Sequence, residues 1–450
     1  MPDEDDWAPS TRQIHAGYTA GVAQNPAVVP IYQSSAYVFE SFQAAADIFA
    51  LRTPGNLYSR TGNPTNAALE KRVASLDGGV AALATGSGQS AVAIALLALV
   101  RGGHHIVAAH QLYGGSVDLL EDTFNDFGIE VTFVDARTPS AWADAVRPET
   151  RAFFLESIGN PLATVPDLSA IAEIAHAHDI PFVVDNTMAT PHLLRPIDFG
   201  ADIVVHSATK FLGGHGNSLA GVIVDAGRFD FGAKPERWSQ FTAPSRRFGL
   251  TFWEAFGAER SAYLAYAKAK LSHDLGPALS PFNSFLILQG IETLDIRMRK
   301  HTDSALTVAR FLHEHPAVSV VHHPQIEGHP DAEQARTYLP RGVGSVFSFN
   351  LAAPVEAVGP FIDSLRLFEL VANVGDVRSL VVHPATTTHS RFTPEQRERA
   401  GISLTTIRLS IGLEDPVDLI GDLRQALDSL TARTSETTGT SSATGTEAIA

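Results

Sequence analysis

Short apolar runs rich in β-branched residues alternate with stretches whose apolar positions recur at helical spacing through the first half of the chain. Runs at 105–109, 129–134, 152–156, 182–185 and 203–205 have the length of buried strands, and segments at 116–127, about 141–146 and 168–178 separate them as helices. A continuous apolar stretch at 91–100 follows Gly86-Ser87-Gly88-Gln89-Ser90, a small, polar run that reads as a helix N-terminus. Another helix is expected from Thr65 to about Leu76. This alternation predicts an α/β domain with a mainly parallel sheet covered on both faces, and ligands at the carboxyl ends of its strands. After about Pro277 the order changes: helices at 283–289 and 303–313 precede strands at 318–322 and 345–351, which predicts a smaller α+β domain.

The resulting division is an N-terminal arm at 1–57, broken by Pro26, Pro30 and Pro54-Gly55, a large domain at 58–276, and a C-terminal domain at 277–430. The remainder, 431–450, is of low complexity and is expected to be disordered. The connection at 225–275 is long and carries several aromatic residues, with no residue-level role evident.

Two strand ends carry candidate chemistry. The run at 203–205 leads into His206-Ser207-Ala208-Thr209-Lys210 and then glycines, so an amine and two hydroxyls crowd one turn. The run at 182–185 ends in Asp185. An amine and a carboxylate at the mouths of two parallel strands can reach opposite ends of a flat ring, as pyridoxal phosphate requires: an amine for its aldehyde carbon and an anion for its pyridine nitrogen. On its own, Lys210 reads as a solvated surface lysine.

Composition narrows the field. The chain has 450 residues and no cysteine, which excludes disulfides, cysteine metal sites and a cysteine nucleophile. A net charge of -16 argues against a nucleic-acid partner. No apolar run approaches the ~18 residues of a membrane span. The acidic start lacks the basic-then-apolar order of a signal peptide, so a cytoplasmic address is expected. The paired histidines His104-His105 and His322-His323, and His206 with His215, lack the helical spacing and glutamate of a zinc-hydrolase motif, and no metal site is expected.

Four stretches in order, YSRTGNPT at 58–65, VVDNT at 183–187, SATK followed by GGHG at 207–216, and SLVVHPATTTH at 379–389, resemble the Cys/Met-metabolism family of fold-type I pyridoxal phosphate enzymes over roughly residues 10–430. The resemblance implies pyridoxal 5'-phosphate covalent on Lys210, with Asp185 at the ring nitrogen and Tyr113 stacked on the ring. It places the phosphate against Gly88, Gln89, Ser207 and Thr209, and against Tyr58 and Arg60 reaching across from a neighbouring subunit, in a homodimer or homotetramer. Asn160 would meet both the ring hydroxyl and the substrate, Thr187 would orient or pack beside the ring, and Ser379 and Arg408 would hold the substrate carboxylate. Read without the resemblance, Tyr113 is equally a packed loop tyrosine, while Thr187 reads as a cap and Arg408 as an arginine on a solvated strand face. One departure is Ile158, in ESIGNP, where the family usually has proline. The long connection and the TTTH form of the last motif resemble the sulfhydrylase branch. That implies γ-replacement on O-acetylhomoserine by sulfide in methionine biosynthesis; cystathionine γ-synthase and methionine γ-lyase chemistry are the alternatives. Gly115 stands where γ-lyases often carry cysteine.

Overall fold

The computed structural model describes residues 7–19 and 25–439. Among them, seven strands form one sheet: β1 (Ala81–Thr85), β2 (His105–Ala109), β3 (Glu130–Val134), β4 (Thr150–Glu156), β5 (Phe182–Asp185), β6 (Ile203–His206) and β7 (Gly221–Asp225), in the order β1-β7-β6-β5-β4-β2-β3. From β6 through β3 every neighbouring pair is parallel, whereas β7 runs antiparallel to both β6 and β1. Every residue of β2, β6 and β7 is buried, which requires cover on both faces and explains why these strands read as unbroken apolar runs. Helix Gly88–Leu97 packs on β6 and β7, and helix Leu168–Ala177 on β5.

Two strands of this sheet were not anticipated. The alanine-rich β1 has only Thr85, at its end, of the β-branched residues that mark a strand, and β7 returns antiparallel without the helical crossover the alternation leads one to expect. The helix expected at 116–127 starts at Gly114 and is interrupted by a wide π turn at Leu119–Thr123, which rotates the face presented by the residues that follow.

The second sheet is smaller: β8 (Val318–His322), β9 (Val346–Leu351), β10 (Glu369–Leu370), β11 (Leu380–Val382) and β12 (Thr406–Ser410), in the order β10-β11-β12-β9-β8. It is antiparallel except between β10 and β11. Helix Leu294–Glu314 packs on β8 and on helix Pro416–Gly439. Residues 440–450, in the stretch expected to be disordered, lie outside the described residues, as do 1–6 and 20–24 of the arm. No described helix is long and apolar enough to cross a membrane.

The connection at 225–275 folds into short helices around an aromatic cluster. Phe231 meets Phe229, Trp238, Phe241 and Tyr263 with ring centroids 4.5 to 6.1 Å apart. Tyr263 donates its hydroxyl to the Ala95 carbonyl at 2.8 Å, so the cluster braces helix Gly88–Leu97 from outside.

Candidate active site

A pocket opens at the carboxyl ends of β4, β5 and β6, lined by Gly88, Gln89, Tyr113, Glu156, Asn160, Asp185, Thr187 and Ser207 together with Val92, Ser116, Ile158, Met188 and Val374. Seven residues anticipated from sequence thus share one cavity. The strand order explains four of them, Asn160, Asp185, Thr187 and Ser207: β4, β5 and β6 are parallel neighbours, so residues at and just past their ends emerge side by side, while Tyr113 follows β2 and Gly88 and Gln89 open the helix after β1.

Asp185 ends β5, and its Oδ1 accepts the Thr187 amide at 2.9 Å. Burial raises its pKa, opposed by the Thr187 hydrogen bonds and the charge of His206. His206 is fully buried with its Nε2 2.7 Å from Asp77 Oδ2; burial alone would lower its pKa, but Asp77 outweighs it and the net shift is upward. The Thr187 hydroxyl accepts the Ser207 amide at 2.8 Å, which fixes Ser207 beside β5. A Cβ added at Gly88 would lie 2.5 Å from Ser207 Oγ and 2.8 Å from Ser207 Cα, so only glycine lets the first turn of helix Gly88–Leu97 come this close. Ser87 and Ser90 close the helix start with reciprocal caps, while amides at such a start lack intrahelical partners and suit an anion. Gln89 spends its side chain on the Gly115 carbonyl at 2.8 Å, which leaves its main chain as the part available at the helix start.

Glu156 entered the sequence reading only as part of a motif, yet it is a second buried carboxyl in the pocket. Its Oε1 accepts the Tyr113 amide at 2.6 Å. Burial, then the nearby Asp185, pushes its pKa well above the usual carboxylate range. Tyr113 stands at the mouth, 44% exposed, and its ring overlies Gly115, where an added Cβ would fall 2.5 Å from Tyr113 Cε1.

Lys210 follows β6 by four residues and donates from Nζ to Asn373 Oδ1 at 2.5 Å. Burial, then the positive charge of Arg408, lowers its pKa to about 8. Arg408 belongs to β12 of the other sheet, paired to Val382 on one side and Ser348 on the other. Its Nη1 donates to Asn160 Oδ1 and its Nη2 to the Asn373 carbonyl, both at 3.1 Å, while Nε is buried without a partner. The guanidinium is 3% exposed, and burial pulls its pKa down to about 10. The arginine that a solvated strand face could have carried therefore points into the molecule.

Of the anticipated residues outside the pocket lining, Lys210 and Arg408 are joined through Asn373, next to the lining residue Val374, and four more sit elsewhere. Thr209 is tied to Ala220, donating to its carbonyl at 3.2 Å and accepting its amide at 3.0 Å. Ser379 is fully buried but not in the pocket lining: its hydroxyl donates to Glu414 Oε2 at 2.8 Å and accepts the Gly412 amide at 2.9 Å. Tyr58 and Arg60 lie on the exterior, with the Arg60 guanidinium 5.0 Å from the Tyr58 ring centroid. Asn373 was missed because its partner is 163 residues away and the sequence around it shows only one amide between apolar residues.

A lysine with a depressed pKa just past β6, a buried carboxylate at the end of the neighbouring β5 and a glycine-cradled helix start define an amine-dependent enzyme on a doubly covered α/β sheet. The chain belongs to the family described as Cys/Met metabolism PLP-dependent enzyme, which it matches over residues 10–428. It is 44% identical over 430 residues to the O-acetyl-L-homoserine sulfhydrylase of Leptospira meyeri, covering 94% of this chain and 97% of the relative. To the homocysteine/cysteine synthase of Saccharomyces cerevisiae it is 41% identical over 436 residues, covering 94% and 98%. Among solved structures it resembles a Campylobacter jejuni protein described as an O-acetylhomoserine (thiol)-lyase with N'-pyridoxyl-lysine-5'-monophosphate, at a TM-score of 0.90 and 35% identity, covering 94% of this chain and 100% of that one. The fold is thus fold-type I and the cofactor is pyridoxal phosphate. The residues present fit that group, with Lys210, Asp185 and the Gly88–Ser207 cradle offering an amine, an anion and an anion-binding helix start.

Proposed function

We propose that this enzyme converts O-acetyl-L-homoserine and sulfide to L-homocysteine and acetate, a γ-replacement in methionine biosynthesis, acting in the cytoplasm. The observation that carries the reading is the meeting of two sheets: Lys210 past the end of β6 and Arg408 on β12 are both bonded to Asn373. That arrangement sets an amine beside a carboxylate clamp, as an α-amino acid substrate demands.

Bound here, pyridoxal phosphate supplies an electron sink that acidifies the substrate's carbon-bound hydrogens. Lys210 would hold it covalently, and Asp185 would keep its ring nitrogen protonated. Gly88, Gln89 and Ser207 would hold the phosphate, joined by the partner's Tyr58 and the partner's Arg60, while Thr209, bonded to Ala220, would steady the turn that carries Ser207 and Lys210. Tyr113 would stack on the ring, Thr187 would steady Asp185, and Asn160 would meet the ring hydroxyl. Arg408 and Asn160 fix the substrate carboxylate, and Ser379 serves that site from behind by tying β11 to Glu414 and Gly412. Lys210, once released, carries a proton from Cα and another from Cβ. Acetate leaves with the Cγ–O electron pair, hydrosulfide supplies the pair of the new Cγ–S bond, and Lys210 returns protons to the carbon skeleton. The need for a neighbour's Tyr58 and Arg60 makes the working unit at least a dimer, and the arm's exposed Val38, Phe42 and Phe49 support such a contact.

The test is a product assay offering O-acetyl-L-homoserine or O-succinyl-L-homoserine to sulfide, methanethiol or cysteine, with 2-oxobutanoate measured alongside. Homocysteine from the acetyl ester and sulfide is expected to dominate. Cystathionine as the main product, or 2-oxobutanoate from methionine at a comparable rate, would replace the sulfhydrylase reading with a cystathionine γ-synthase or a methionine γ-lyase.

A further inference from the structure

We propose that Asn373 is a positioning residue for Lys210: it receives the amine whenever the amine is free and couples its place to that of the carboxylate clamp. The inference rests on the reading above, in which Lys210 alternates between a covalent and a free form.

The geometry is built from both sides. Residues 373–377 run alongside the loop that carries Lys210: Asn373 bonds Lys210, Gly375 packs on Phe211, and the Val377 amide donates to the Gly214 carbonyl at 3.0 Å. Gly375 has φ +73°, and a Cβ there would fall 2.7 Å from the Phe211 amide nitrogen, so the approach depends on glycine in a left-handed conformation. The Gly375 amide is in turn held by Ser410 Oγ at 3.1 Å, two residues beyond Arg408. Asn373 itself is pinned by a tight turn, its amide donating to the Val371 carbonyl at 2.8 Å.

The two polar ends of Asn373 do different work. Its side-chain oxygen accepts from Lys210, while its main-chain oxygen accepts from Arg408 Nη2. A free lysine on a four-carbon stem has many rotamers, and an amine that must meet Cα and then Cβ gains from one fixed resting place. The chemistry of the acceptor also matters. A neutral amide oxygen can accept an N–H from the uncharged amine and leave its lone pair open to take a proton. A carboxylate in its place would favour the ammonium and remove the base. Asparagine holds the amine without charging it.

The test uses the holoenzyme and three variants, Asn373→Ala, Asn373→Asp and Lys210→Ala, read by kcat, KM for O-acetyl-L-homoserine, the pH profile of kcat, and the visible absorbance of the lysine-bound cofactor. Stopped-flow absorbance follows how fast that signal returns when a bound, unreactive amino acid is competed away. Asn373→Ala should keep the resting absorbance and leave KM within about twofold, because Arg408 bonds the main chain, while kcat and the rate of signal return fall on the order of 10- to 100-fold. Asn373→Asp should move the acid-side limb of the kcat profile, where Lys210 must lose its proton to act as base, to higher pH and recover activity there. An Asn373→Ala enzyme with kcat, signal return and pH profile unchanged overturns the inference. So does one in which KM rises in step with the fall in kcat and the resting absorbance is lost, as a merely structural role would give. Lys210→Ala separates the two levels. Active Lys210→Ala enzyme would overturn the reading of the site and this inference with it, whereas an inactive Lys210→Ala beside an unaffected Asn373→Ala overturns the inference alone.

Discussion

Replacing Lys210 with methionine should make the cofactor-stripped protein more stable at neutral pH, although it destroys the proposed chemistry. Burial, helped by the charge of Arg408, holds Lys210 at about 8 against its ordinary 10.5. Such a depression means that folding disfavours the ammonium by about 3 kcal/mol wherever folded and unfolded chains are both protonated. Methionine fills a comparable apolar volume and removes the charge, but it leaves Asn373 Oδ1 without its 2.5 Å donor. An unpaired, partly buried acceptor costs about 1 kcal/mol, so the net gain is roughly 2 kcal/mol. The pH dependence has a fixed sign. Below about 8 both states carry the proton and the burden is fully present; as pH rises from there toward 10.5 the folded state is already neutral, the burden fades, and above 10.5 it is gone. Urea unfolding of the two stripped proteins at pH 7 and at pH 10.5 measures this. Lys210→Met should unfold at higher urea at pH 7 and lose the advantage, or fall slightly below the unsubstituted protein, at the higher pH. Equal or lower stability of Lys210→Met at pH 7 would refute the claim that the amine is held against its own solvation.

Further outcomes follow from the same geometry. Gly88→Ala should fold, since alanine favours a helix by about 1 kcal/mol over glycine. Its methyl would meet Ser207 Oγ at 2.5 Å, an overpacking of roughly 1 to 3 kcal/mol that equilibrium dialysis should register as weaker pyridoxal phosphate binding. Arg408→Lys keeps the charge but not the fork; kcat/KM for O-acetyl-L-homoserine should fall about a hundredfold, the equivalent of roughly 3 kcal/mol, with the cofactor absorbance intact. Mixing inactive Arg60→Ala and Lys210→Ala subunits should restore activity, because one site of each hybrid dimer then draws both residues from unsubstituted positions. No recovery after verified subunit exchange would count against the shared site.

What could be read in advance had a physical pattern. β5 and β6 were legible because a strand buried on both faces leaves a continuous β-branched run, and the polar residues that end it, Asp185 and Ser207 to Lys210, stand out against it. β1 was not, because alanines carry little strand preference, and β7 broke the alternation that had located its neighbours. Within the site, groups set by local chain direction were recoverable, and groups set by long-range pairing were not. Glu156 was visible as a residue but not as a carboxyl with a raised pKa, since that depends on its burial and then on Asp185 from the next strand. Asn373 carried no signal at all, because its two partners come from β12 and from the loop after β6. Ser379 illustrates the opposite error open to motif matching: its position agrees, but its hydroxyl is spent on Glu414 and Gly412.

The placement of Arg408 on a different sheet from Asp185, Ser207 and Lys210 divides the enzyme's heredity as well as its architecture. Groups proposed to govern the cofactor's electronics share one scaffold, whereas the guanidinium proposed to hold the α-carboxylate, the end that every amino-acid substrate shares, hangs from another, set by the pairing of β12 with β9 and β11. Substitutions along those three strands can shift where that carboxylate is held while the electron sink stays as it is. The seam between the two scaffolds, where Asn373 meets Lys210 and Gly375 meets Phe211, is where a shift of one half is felt by the other.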